Sequence, residues 1–117
     1  MEALTTDAGR RALVAAGETD TASTRVYDIV RHLPWAERFP SRVLRNDFVD
    51  RWTGHEDALA EDADAEAELA TAIAADDRRI AAVDAGQGVG MVTDVAPVGE
   101  VIERLCAGAE NLLAGWG

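Results

Sequence analysis

Apolar and polar positions change their period several times along the chain, and each change marks an expected element. Residues 2–16 carry Leu4, Ala8, Ala12, Leu13, Ala15 and Ala16 at helical spacing, which predicts a short helix with a weak apolar face. Gly17 follows, where a left-handed residue would close that helix. Glu18 to Ser23 is polar and reads as a turn. Thr24 to Val30 alternates and is rich in β-branched residues, so it predicts a strand. Pro34 and Pro40, each beside an aromatic residue, predict an ordered loop that packs on something. Ser41 is then placed to cap a helix over 42–52, with Val43, Leu44, Phe48, Val49 and Trp52 at helical spacing.

Glu56 to Arg79 is rich in alanine and acid, and propensity makes it helix, with Leu59, Leu69 and Ile73 as its only large apolar residues. Ile80 to Val83 reads as a second short strand, leading into the glycine-rich segment from Asp84 to Val92. Pro97 opens a last helix at a position that favours proline. Its stripe runs from Val98 through Ile102, Leu105 and Cys106 to Leu112, Leu113 and Trp116, the longest periodic pattern in the chain. The expected fold class is mostly α with one or two short strands. Those strands would leave unpaired edges, so a partner or self-association is expected.

Composition thins this picture. The 117 residues are 48% hydrophobic, enough for a core, but much of that is alanine and only 5% of the chain is aromatic. Alanine buries little area, so the core should be thin. Charge restricts the partners: 22 acids face 11 bases, every base is arginine, and the net charge is -11. A surface this acidic repels nucleic acid and anionic membranes. Acid enrichment without lysine also suits a salt-rich cytoplasm, where screening relieves self-repulsion. A single cysteine excludes an internal disulfide, and no apolar run is long enough to span a bilayer. Cytoplasmic is the default location.

Few residues carry candidate chemistry. Gly86, Gly88 and Gly90 leave backbone amides uncovered, but Met91 stands where the third glycine of a dinucleotide fingerprint belongs. A structural turn and a cofactor loop both remain open, with Gln87 able to donate and accept. His32 and His55 have no serine, cysteine or carboxylate spaced as a triad partner. No metal site is expected. The run Glu61, Asp62, Asp64, Glu66 and Glu68 lacks the glycine and alternating ligands of a calcium loop and reads as a solvated face. Cys106 is expected in the core. Trp35, Phe39, Phe48 and Trp52 form either a buried aromatic group or a binding surface, with packing favoured.

Two segments together resemble a known family. Thr24-Arg25-Val26-Tyr27-Asp28 running to Leu33-Pro34-Trp35, then Phe39-Pro40-Ser41-Arg42-Val43-Leu44-Arg45-Asn46, is similar to a stretch of the FMN-dependent nitronate monooxygenases. About forty residues later, Ala85-Gly86-Gln87-Gly88-Val89-Gly90 resembles that family's late glycine loop. The order and spacing agree along nearly the whole chain, the opening Glu2-Ala3 and Ala15-Ala16-Gly17 included. The resemblance implies the C-terminal fragment of an α/β flavoprotein, a TIM barrel plus small domain, since a barrel takes about 250 residues. Residues 1–23 would be a helix from the end of the barrel, 24–79 a small helical or α+β subdomain, and 80–117 the glycine loop and a barrel-capping helix. It further implies FMN as cofactor, with Gly86 and Gln87 near it, and oxidation of alkyl nitronates by O₂. No catalytic residue is carried over, because neither histidine matches the family's motif. The fragment is expected to be inactive alone and to need a separate barrel-bearing chain or self-association. Two alternatives stand beside it: a fragment of a related FMN enoyl reductase, and a non-enzymatic acidic helical module that binds a partner protein.

Overall fold

The computed structural model describes residues 5–116, so the expected start of the first helix, Glu2, Ala3 and Leu4 included, lies outside the described residues. The elements run α1 (Asp7–Ala15), β1 (Thr21–Thr24), α2 (Val26–Val30), β2 (Ser41–Leu44), α3 (Asp47–Trp52), α4 (Glu56–Ala60), α5 (Ala63–Ala74), a 3-10 turn (Gln87–Met91) and α6 (Val98–Ala114). The fold class is therefore mostly helical, with one two-stranded antiparallel sheet. No helix among the described residues is long and apolar enough to cross a membrane.

The sheet sits between two apolar clusters. Val43 and Leu44 are adjacent in β2, and adjacent strand residues point to opposite faces. Val43 enters a cluster with Val26, Tyr27, Val30, Phe48 and Leu59, whereas Leu44 joins Val83 and Val89 in a second one. Burial on both faces removes the alternation that marks a half-buried strand, so the segment mimics helical spacing. The helix expected over 42–52 thus begins only at Asp47, and Ser41 starts a strand rather than capping a helix. Asn46 is the cap, its side-chain oxygen accepting from the Val49 N–H at 2.9 Å.

The partner strand lies in the polar stretch that reads as a turn. Thr21 faces Leu44 and Thr24 faces Ser41 across the antiparallel pair. The strand expected over 24–30 is instead helix from Val26 onward. The Thr24 hydroxyl accepts the Val26 N–H at 3.1 Å and turns the chain there. A helical turn then brings Val26, Tyr27 and Val30 into the same cluster, and that burial outweighs β propensity. Tyr27 stacks on Phe48 with ring centres 5.5 Å apart. Its hydroxyl donates to the Ile80 carbonyl at 2.6 Å and accepts from the Asn46 amide at 2.8 Å. Burial pushes the Tyr27 phenol up to about 12, although the Asn46 hydrogen bond opposes the shift.

Two further expectations change at helix ends. The helix expected over 56–79 breaks at Glu61 and Asp62, where the Asp62 carboxylate caps α5 by accepting from Ala65 N–H at 2.9 Å. Gly17 does not adopt a left-handed conformation. Ala16 is already extended, and the Gly17 N–H bonds the Asp20 carboxylate at 2.7 Å. α1 is fastened from a distance by Asp76, which accepts from the Thr6 hydroxyl at 2.7 Å and the Ala8 N–H at 3.2 Å. Arg78 holds Asp76 in place through a 2.6 Å ion pair.

The aromatic group splits. Phe48 is fully buried and Trp52 half-buried, but Trp35 and Phe39 are about 60% exposed, so the loop does not pack through them. The last helix forms as its pattern predicts, yet none of its residues is buried. Cys106 is exposed rather than in the core, because α6 extends away from both clusters. The molecule measures 58 × 30 × 23 Å with a radius of gyration of 17.4 Å. A compact chain of this length would have a radius of about 13 Å.

Candidate functional site: the glycine-turn cleft

The glycine segment leaves the edge of the sheet. Leu44 N–H donates to the Val83 carbonyl at 2.8 Å, and Ala85 N–H to Arg42 at 3.3 Å. The second strand expected at 80–83 is displaced and reduced, because Ile80 and Ala81 turn and only Val43 and Asp84 make a bridge. Beyond Gly86 the chain coils into the 3-10 turn, closed by Val89 N–H on the Gly86 carbonyl at 3.2 Å. Val89 is buried against Leu44 and Val83, with Leu13 and Ala16 beside them, which pins the turn to α1.

The three glycines do different work. A Cβ on Gly90 would lie 2.9 Å from the Glu18 backbone nitrogen, so glycine is what lets the turn approach the end of α1. At Gly86 and Gly88 a Cβ would meet nothing within 4 Å. Their backbone is open to an incoming group. Gln87 is exposed and its side chain has no hydrogen-bond partner among the described residues. A cleft of about 370 Å³ results, lined by Gly17, Glu18, Gln87, Gly88, Gly90 and Met91. Gly86 caps the turn at the start of this wall. Neither Glu18 nor Gly17 is marked as a site residue by the sequence. Their only signal was the α1 end that the Gly90 contact needs.

These residues do not by themselves fit FMN. The cleft is open, its one charged lining group is the Glu18 carboxylate, and no cation faces a phosphate there. A flavin is held by enclosing most of its surface. What the wall can supply is a short run of exposed backbone with one amide side chain, suited to touching a single edge of a ring.

The larger cleft lies elsewhere, about 690 Å³, between the Arg25–Glu37 ion pair (3.5 Å) and the Thr53–Ala58 segment with His55. Backbone hydrogen bonds, first from Gly54, hold the Glu56 carboxyl below its ordinary range. Ser23 also lines this cleft, but no hydrogen bond joins it to His55 among the described residues, so no Ser–His relay is formed. His32 lies outside it, 3.4 Å from Glu66, with both side chains more than half exposed. The acidic run is put to structural use instead: Asp62 caps α5 and Glu68 pairs with Arg51 at 2.7 Å. No group of three or more His, Cys, Asp or Glu among the described residues could hold a metal ion.

No protein-family model matches the chain, and no curated protein matches it either.

Proposed function

We propose that these residues form the C-terminal part of a flavoprotein similar to the nitronate monooxygenases, inactive alone and completed by a barrel outside the 117 residues. The observation that carries the reading is the glycine turn. It is fixed by Val89 and by the Gly90–Glu18 approach, yet it leaves the backbone of Gly86 and Gly88 and the side chain of Gln87 free. A turn held this firmly and left this open suits one lip of a site whose other walls come from elsewhere. In this reading FMN, when bound, supplies the redox chemistry that takes an alkyl nitronate and O₂ to a carbonyl compound and nitrite. Gly86 and Gln87 border the flavin, α6 lies against the barrel, and the whole is cytoplasmic.

FMN titration of the chain at molar KCl tests it, followed by flavin absorbance and tryptophan fluorescence. The chain alone should not retain FMN. Mixed with a nitronate monooxygenase barrel that lacks its own C-terminal part, it should restore flavin retention, and Gln87→Ala should weaken the restoration. A mixture that forms a complex but still fails to hold FMN would sink the reading.

A further inference from the structure

The apolar side of α6 is the largest feature that the glycine turn does not use. Its members form a palindrome. Counting outward from Ala107, Val98 and Trp116 stand at equal distances, as do Val101 and Leu113. Ile102 matches Leu112 in the same way, and Leu105 matches Ala109. Trp116 is past the cap but keeps the helical path, its N–H donating to the Leu113 carbonyl at 3.2 Å. Two identical helices that run antiparallel about a two-fold axis bring such matched positions together. We propose that a second copy of this chain covers α6, as an antiparallel helix pair centred on Ala107.

Size and charge both favour that arrangement over a parallel one. The antiparallel pair sets Trp116 beside Val98 and Leu105 beside Ala109, large against small at these two levels. A parallel pair would place Trp116 against Trp116 and leave a gap at Ala109. It would also align the two helix dipoles, which the antiparallel pair opposes. The charged residues lie off the apolar side, and Arg104 is turned onto Asp94 (2.9 Å) and Glu100 of its own chain. Every matched position is therefore apolar.

The contact is of modest strength. A helix of 17 residues is about 26 Å long and about 10 Å across, so half its surface offers about 400 Å² per copy. A standard stable interface takes about 800 Å² per partner. Weak association, seen only at high protein concentration, follows. Each copy also carries a charge of -11, so repulsion opposes pairing at low ionic strength and salt relieves it. The inference does not rest on the flavoprotein reading, since it concerns the chain without a barrel.

Sedimentation of the 117-residue chain over a concentration series, at low and at molar KCl, is the test. The mass should rise from 12.5 kDa toward twice that value, with tighter association in salt. Leu105→Glu and Leu112→Glu should each weaken association by at least about tenfold, because a carboxylate would be buried without a partner. Thermal unfolding, measured at dilutions where the parent is a monomer, should be unchanged in both, because no α6 residue is buried in the chain itself. Direction is read by crosslinking in a Cys106→Ala background. Chains with Val98→Cys and chains with Trp116→Cys should be bridged by a short bismaleimide when mixed, and neither should be bridged to itself. A monomer at every concentration overturns the proposal, whether α6 folds back on its own chain or awaits another partner. So does a dimer indifferent to the α6 substitutions, or a Val98→Cys chain that bridges to its own kind.

Discussion

Phe48 in α3 and Leu112 in α6 are large apolar residues on regular helical faces, yet one is fully buried and the other is 70% exposed. The difference lies in what surrounds them. Phe48 is stacked by Tyr27, flanked by Trp52 and covered by Val26 and Leu59, all from segments within sixty residues. Leu112 has no such cover, because α6 leaves the body after Pro97 and meets neither cluster. Periodicity tells which residues share a face. It does not tell whether the same chain supplies the surface that face needs.

The sharpest way to break this contrast is to truncate both residues. Phe48→Ala should cost about 3–5 kcal/mol, as buried aromatic truncations do. A thin core of total stability about 5–15 kcal/mol has little left after that loss, so the cooperative melt should broaden or vanish. Leu112→Ala, measured in dilute solution, should stay within about 0.5 kcal/mol of the parent. Urea unfolding followed by circular dichroism gives both numbers. If the two costs come out alike, α6 is packed after all and the division into body and tail is wrong.

Next in size is the Tyr27 hydroxyl, which ties the start of the fold to the segment that leads into the glycine turn. Tyr27→Phe leaves the Ile80 carbonyl short of a donor, while the Asn46 amide keeps the Arg78 and Ala81 carbonyls, at about 1–3 kcal/mol. Titration gives an independent reading, since Tyr27 is the one tyrosine in the chain. Its folded pKa of about 12 stands above the ordinary 10.0, so the neutral form is favoured by folding. That contribution is complete below the unfolded value and is lost as pH rises through the folded one. Tyrosinate absorbance should therefore appear late and together with unfolding. Ionisation near 10 in a still-folded chain would mean that the phenol is not clamped.

What the sequence disclosed follows the same division. α6 was legible over its whole length because one face repeats without interruption, and the helical nature of 63–74 was legible from propensity. The ribbon was not. Thr21 to Thr24 has a polar composition and is a strand only because Ser41 to Leu44 lies beside it. Val43 and Leu44 looked helical because two clusters claim neighbouring residues. In the candidate site, the glycines marked the turn, and Gly86 and Gln87 could be named from the resemblance alone. Glu18 could not, since its place in the cleft depends on a contact across seventy residues with Gly90.

Substituting two of those glycines should separate the pinned side of the turn from its open side. Gly90→Ala forces a Cβ against the Glu18 backbone at 2.9 Å, and the turn is exposed enough to shift, so the cost is about 1 kcal/mol. Gly86→Ala meets nothing within 4 Å and has φ −80, which alanine adopts freely. There the smaller entropy of the unfolded chain should leave the fold unchanged or more stable by about 0.4–1 kcal/mol. Opposite signs are the expected outcome in thermal melts. Equal signs would mean that the turn does not rest on α1.

The smallest effect should come from Asp76, the residue that fastens α1 to the body. Hydrogen bonding from Thr6, aided by Arg78 and the Ala8 N–H, holds its carboxyl below the ordinary range. A lowered folded pKa gives stability that is present above the unfolded value and is lost as pH falls through the folded one. Asp76 sits at φ 54, a left-handed conformation that asparagine tolerates, so Asp76→Asn removes the charge with little added strain. The variant should melt slightly lower than the parent at neutral pH, and the gap should close in acid, where the parent's carboxyl is neutral too. Hydrogen exchange locates the effect: the amides of Ala8 and Arg10 should lose protection, while Val49, capped by Asn46, keeps it. Equal loss at both places would make α1 part of the same cooperative unit as the core. Loss at α1 alone would place it between the two extremes that Phe48 and Leu112 define, attached to the body by a few polar contacts.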